Sequence, residues 1–215
     1  MALDETKINA IVEQVLSRLS LDGGKSAPVA APAVHTSRIE TGRLGLFPDV
    51  DSAMAAARKA HEQLVTLGLE VREKAIDAIR KLTVAKAADL ARMAVSETGL
   101  GRVEDKIGKN KLAALKTPGT EILTPHAFSG DNGLTLTERA PYGVISSITP
   151  CTNATATLTN NAIGMIAGGN AVVFNVHPSA KNTCATYIRW MNEAMVAAGA
   201  PDNLITAVPE PTLET

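Results

Sequence analysis

The chain switches between two hydrophobic periods, and the switches outline its elements. A short run from Val144 to Ile148 ends at Thr149-Pro150 and a polar turn. An amphipathic stretch over 154–167 follows, closed by Gly168-Gly169-Asn170. A second run, Ala171-Val172-Val173-Phe174, stops at Asn175-Val176-His177-Pro178. Strand, polar loop, helix, glycine stop and strand make one βαβ unit, whose crossover implies parallel strands. A helix over 180–198 stopped by Gly199, the turn Pro201-Asp202-Asn203 and a strand over 204–207 extend it to half of a doubly wound sheet. Ligands of such sheets bind outside the carboxyl ends of the strands. The loops 149–153 and 175–181 both lie there.

Upstream the period is helical. Leu3, Ile8, Ile11, Val12, Val15, Leu16 and Leu19 form one apolar stripe over residues 3–21, with Asp4 and Glu5 near its start. So short a helix is marginal alone in water, so the stripe needs a partner. Asp22-Gly23-Gly24-Lys25-Ser26 and an Ala/Pro stretch over 27–33 then read as a linker. Asp51 is the expected cap of a helix over 53–68. A helix over 71–86 places Ile76, Ile79 and Leu82 on one face, continues helical through 87–98 and ends at Gly99. A helix over 103–115 is stopped by Pro118-Gly119. The alternation Leu134-Thr135-Leu136-Thr137, after Asp131-Asn132-Gly133, marks a hairpin between 121 and 139. The fold class is therefore α/β. Its segments are a helix over 1–20, a linker over 21–41, helices over 42–119, a hairpin arm over 120–140 and a βαβαβ part over 141–215.

Composition removes several function classes. An apolar share of 45% suffices for a core, and aromatics at 3% leave the aliphatics to build it. A net charge of −1 gives no electrostatic footprint for nucleic acid. No run approaches the roughly 18 apolar residues of a membrane span, and the N-terminus lacks signal-peptide regions, so the chain reads as cytosolic. Cys151 and Cys184 form neither a disulfide framework nor a metal-site spacing, and no metal is expected. Cys151, beside a polar loop, imitates a nucleophile. No base stands near it in sequence, and a small, partly buried cysteine is the reading; Cys184 falls inside a helix and packs. No G-x-G-x-x-G follows the first strand, and Gly168-Gly169-Asn170 reads as a helix stop.

Several ordered blocks carry a likeness. They are Ser96-Glu97-Thr98-Gly99 with Gly101 to Lys106, Thr117-Pro118-Gly119, Ser129 to Leu134, Ala140 to Val144, Thr149 to Asn153, Asn160-Asn161-Ala162-Ile163 and His177-Pro178. Together they resemble the aldehyde dehydrogenase superfamily, and within it the CoA-acylating enzymes of bacterial microcompartments, of the ethanolamine- and propanediol-utilisation type. The likeness runs from about residue 42 to the end.

The resemblance implies an aldehyde dehydrogenase-like fold with the adenosine ribose and phosphate of NAD lying along the strand-end loops, NADP being left open. Thr149, Pro150, Asn175, Val176, His177, Pro178 and Lys181 are the implied cofactor contacts. Asn175 stands where many members carry a lysine; it keeps a donor and loses the charge. His177 receives no acid–base role. An oxyanion donor is implied at Thr152, which falls on the usual asparagine column, or at Asn153, one further, with loop capping the equal alternative for Asn153. Glu97, Glu104, Asp105 and Lys106 would otherwise read as a solvated face; the family match gives them a structural or interface role.

The implied reaction converts a short aldehyde, acetaldehyde or propionaldehyde, to acyl-CoA with CoA as co-substrate. The family's nucleophilic cysteine falls beyond the position matching Thr215, so the chain looks like an amino-terminal portion or a truncated relative, inactive alone. Homo-oligomer contacts through the hairpin arm are implied as well. Residues 1–20 resemble encapsulation peptides that engage the shell or core proteins of a microcompartment, which would place the protein inside one; the alternative is an N-terminal helix docked on its own domain. The rival reading is a non-catalytic cargo or binding protein that associates with full-length subunits.

A half-sheet with an open edge strand is a template for association. The chain alone is expected to be poorly soluble and to self-associate in sedimentation velocity. A monomer with one sharp melting transition would contradict this.

Overall fold

A computed structural model describes residues 41, 42 and 44–212, all within the compact unit spanning residues 39–215. The expected N-terminal helix, and the linker up to residue 40, lie outside the described residues.

Helix α1 is Val50–Leu64. Its cap is Asp49, not Asp51: Asp49, in an extended conformation, accepts the Ser52 amide at 2.8 Å. Asp51 sits in the first turn instead, where a carboxylate favours the helix dipole. The helix also ends sooner than expected. Gly68, read as its last residue, adopts an extended conformation and opens α2, Leu69–Thr98. This single 30-residue helix buries Ala75, Ile76, Ile79, Thr83, Ala87, Leu90, Ala91 and Ala94 along one stripe. It stops at Gly99, whose φ of 67° is readily reached without a Cβ. Helix α3 is Val103–Lys116.

The hairpin forms as read. Strands β1, His126–Gly130, and β2, Gly133–Thr137, pair antiparallel around Asp131-Asn132, and both are exposed along their whole length. The sheet then follows: β3 Val144–Ile148, α4 Ala154–Ala167, β4 Ala171–Asn175, α5 Lys181–Ala197 and β5 Ile205–Ala207. The strands are parallel in the order β3-β4-β5, with register from Val144↔Ala171 to Ile148↔Asn175. An isolated parallel bridge, Leu46↔Ala207, lies beyond β5. Gly45 makes that approach possible, since a Cβ there would stand 2.4 Å from the Ile205 carbonyl oxygen.

Helices cover both faces. The Thr206 hydroxyl reaches the Ala53 carbonyl of α1 on one side, and Asn161 of α4 donates to Ser147 on the other. Hence Ala171 to Phe174 of β4 is buried throughout. Val144, Ile145 and Ser146 of β3 remain partly exposed, and Ile148 is 81% exposed.

A buried polar chain ties the helices together. The Tyr187 hydroxyl meets Thr83 at 2.6 Å and Thr159 at 2.8 Å, joining α5 to α2 and α4. Asn110 of α3 accepts from Thr155 and donates to the Ala87 carbonyl. Each polar group finds a partner, which is the condition for burying it without a large penalty.

Two buried acids resist ionisation here. Desolvation pushes the Cys184 thiol up to about 12, helped by the Glu97 charge, and the Tyr187 phenol up to about 12 against its hydrogen bonds. The unfolded chain releases these protons first, so their contribution is complete below the ordinary thiol value of 9.0 and is lost as pH climbs toward 12. Urea midpoints should fall steadily above pH 9, and Cys184→Ala should remove the earlier part of that fall. A midpoint flat to pH 11 would contradict the assignment.

Candidate functional site

The register brings two loops to one level. The Thr149 amide donates to the Asn175 carbonyl at 3.0 Å, so β3 and β4 end side by side. Thr149 is 3% exposed, and its hydroxyl has no partner among the described residues. Pro150 is exposed and Asn175 half-buried.

A cavity of about 500 Å³ opens on the α1 face of the sheet. The strands contribute Val144, Ser146, Val173 and Asn175; α1 contributes Arg58 and His61; Tyr142, Val208 and Pro211 close it. Of the expected cofactor contacts, only Asn175 lines this space. Val176 turns into the core at 2% exposure. His177 Nδ1 accepts the Ser179 amide at 3.1 Å and so closes its own turn, with Pro178 opening the short 3-10 turn Pro178–Ala180. Lys181 is engaged by Glu210 across the mouth of the loop. Sequence reading missed Arg58, His61, Tyr142, Val208 and Pro211, because only the packing of α1 against the sheet brings them together.

A second groove, about 470 Å³, runs between α3 and α4 and is lined by Lys109, Leu112, Lys116, Thr117, Asn153 and Asn160 among others. Thr152 is exposed, and its carbonyl accepts Lys106 Nζ at 2.8 Å. Asn153 occupies the cap position of α4, yet its side chain makes no capping bond; Oδ1 instead accepts Lys109 Nζ at 3.2 Å. The capping alternative for Asn153 is thereby corrected: the neighbouring helix holds its side chain.

Lys106 is 7% exposed, not part of a solvated face. Burial pushes its ammonium below the usual lysine range, the Lys109 charge adds to that, and Cys151 opposes it. Its signal in the sequence was the spacing Lys106, Asn110, Ala114, the buried stripe of α3. The apolar Leu112 and Leu115 are instead 61% and 62% exposed.

Glu97 has the expected structural role. It accepts the Asn182 and Thr183 amides at 2.8 Å and the Thr183 hydroxyl at 2.6 Å, capping α5 from the end of α2. Cys151 is half-buried and Cys184 buried, both free. Among the described residues no group of three metal-ligating side chains gathers.

A three-stranded parallel sheet covered by helices, with loops gathered at its strand ends and a projecting hairpin, is half of a doubly wound α/β sheet, the class that binds ligands outside those ends. The sequence profile of the aldehyde dehydrogenase family matches residues 20–215, and the chain belongs to that family. It is similar to the acetaldehyde dehydrogenase (acetylating) of Bilophila wadsworthia, with 46% identity over 214 residues, covering 100% of this chain and 43% of that protein. A solved propionaldehyde dehydrogenase from the Clostridium phytofermentans fucose utilisation bacterial microcompartment is 51% identical with a TM-score of 0.77, over 79% of this chain and 39% of that one. The Rhodopseudomonas palustris propionaldehyde dehydrogenase, solved with bound CoA and an acylated cysteine, is 45% identical with a TM-score of 0.78, over 80% and 40%. The chain spans less than half the length of the curated relatives it matches.

Glu97 anchors the helix that follows the Asn175 loop, and charge-assisted bonds to amides are the stronger kind. Glu97→Ala should lower stability by about 2 kcal/mol in urea titrations, with faster exchange at the Asn182 and Thr183 amides. Unchanged exchange there would refute the cap.

Proposed function

We propose that this chain supplies the adenosine side of the cofactor site and one wall of the aldehyde site of a CoA-acylating aldehyde dehydrogenase. The substrate is a short aldehyde, acetaldehyde or propionaldehyde, and the product its acyl-CoA. One observation carries the reading: the ends of β3 and β4 are level, and each of the two clefts is lined by an asparagine, Asn175 at the end of β4 or Asn153 at the start of α4. A reaction that passes a hydride from an aldehyde-derived carbon to a dinucleotide needs two approaches to one point.

The cavity on the α1 face fits a nucleoside in its mixed lining. The Asn175 amide is suited to ribose hydroxyls, Arg58 offers positive charge, and Val208 with Pro211 offers an apolar wall. Bound NAD, or NADP, supplies the hydride acceptor. On the other side the α3–α4 groove, with Leu112 and Ala113 on its wall, suits a small aldehyde. Amide donors at Thr152 or Asn153 serve the negative charge that develops on the aldehyde oxygen.

The hairpin supports a subunit contact, since Phe128, Leu134 and Leu136 are each more than half exposed. Isolated hairpins are marginally stable and need a covering partner. Residues 1–20 are assigned the encapsulation role, which places the assembly inside a microcompartment.

The test is the native protein from its source, weighed intact and assayed for aldehyde- and CoA-dependent reduction of NAD. A mass well above that of the 22.4 kDa chain, with activity, supports the enzyme. Absence of activity at the chain's own mass would put the cargo reading in its place. Within the active protein, Asn175→Ala should raise the cofactor KM about tenfold, the worth of one or two hydrogen bonds, and leave the aldehyde KM unchanged. An unmoved cofactor KM would place the cofactor elsewhere.

A further inference from the structure

We infer that Lys106 and Lys109 are positioning residues that make Asn153 the oxyanion donor of the aldehyde site. The inference deepens the functional reading above and rests on it.

The two lysines stand one turn apart on α3 and grip adjacent groups of the loop before α4. Lys106 Nζ donates to the Thr152 carbonyl at 2.8 Å, and Lys109 Nζ donates to Asn153 Oδ1 at 3.2 Å. A lysine ammonium only donates, so each contact fixes an acceptor and leaves the opposite, donating side of the same unit turned away. The Thr152 carbonyl and the Asn153 N–H belong to one planar trans peptide. Holding the carbonyl toward α3 directs that N–H away from α3, and donation to the oxygen strengthens the N–H as a donor. The Asn153 side chain repeats the arrangement. With Oδ1 held, Nδ2 faces the other way, and it makes no hydrogen bond among the described residues.

The environment of Lys106 gives the second line of argument. It is 7% exposed and takes part in no ion pair among the described residues; the Thr152 carbonyl is its partner. A buried ammonium without a counter-charge is costly. A negative charge forming on the far side of the Thr152–Asn153 peptide offsets that cost, and it does so only while the anion exists. This is the condition for stabilising a transition state more than a ground state. Lys109 and Asn153 both line the α3–α4 groove, so the held amide belongs to the space assigned to the aldehyde.

The experiment is a double-mutant cycle in the native, active protein. Asn153→Ala should lower kcat about a hundredfold, as loss of an oxyanion donor does. Lys109→Met should lower it about tenfold, with aldehyde and cofactor KM within about twofold. Added to Asn153→Ala, Lys109→Met should have no further effect, because it acts through that amide. Lys109→Arg, which still donates, should restore most of the rate. Lys109 is exposed, so folding is not at stake there; Lys106→Met should move kcat in the same direction. A fully additive cycle, or unchanged kcat in Lys109→Met, would overturn the inference while leaving the dehydrogenase reading intact. A native protein that oxidises no aldehyde would overturn both.

Discussion

The parallel pairing of β3 with β4 is the constraint on which the rest depends. Its register, Ile148 against Asn175, brings two strands from different parts of the chain to the same height. The bond from the Thr149 amide to the Asn175 carbonyl then fixes the level at which the chain leaves the sheet. A slip of one residue would send Ser146 and Ile148 to the α4 face and Ser147 away from Asn161. The cavity on the α1 face would lose its strand-borne lining. Helix α4 reinforces the register through the Asn161 bond to Ser147, so an error costs that hydrogen bond as well.

What the sequence made legible was punctuation. Glycines at positive φ stop α2 at Gly99 and shape the turn after α4 at Gly169, and the Asp131-Asn132 turn sets the hairpin. Such positions are local in their physics, so they can be read locally. The misjudged cap was also local, but degenerate: Asp49 and Asp51 are both cap-forming residues two positions apart, and backbone conformation at Asp49 decides between them. Gly68 misled for a similar reason, since glycine suits a helix start in an extended conformation and a helix end in a left-handed one.

The site was less legible than the fold. Asn175 was expected at a strand end from the family resemblance, and it lines the cavity on the α1 face. Lys181 carries the expected charge, but Glu210 engages it from a segment 29 positions later, a pairing that no local pattern announces. Arg58 and His61 reach the sheet through the packing of α1, which spacing along one helix does not specify. Helix α3 inverts the usual rule. It buries Lys106 and Asn110 and exposes Leu112 and Leu115. Amphipathic reading assumes that the core is apolar, and here the face of α3 turned to the other helices is polar because Asn110 and Thr155 satisfy one another within it.

That inversion follows from what α3 has to hold. A loop between a strand and a helix has amides and carbonyls that neither element satisfies. An apolar face against it would leave the Thr152 carbonyl unpartnered and the Asn153 side chain free to turn. Lysines on long stems reach both oxygens while the backbone of α3 stays at helix-packing distance. The buried run from Asn110 through Thr155 and Thr159 to Tyr187 then locks α4 against α3, α2 and α5. The lysines therefore act on a loop whose flanking helix cannot rotate. A leucine-filled interface would pack as tightly, but it would fix only position. The polar one also fixes which way each amide of the loop faces.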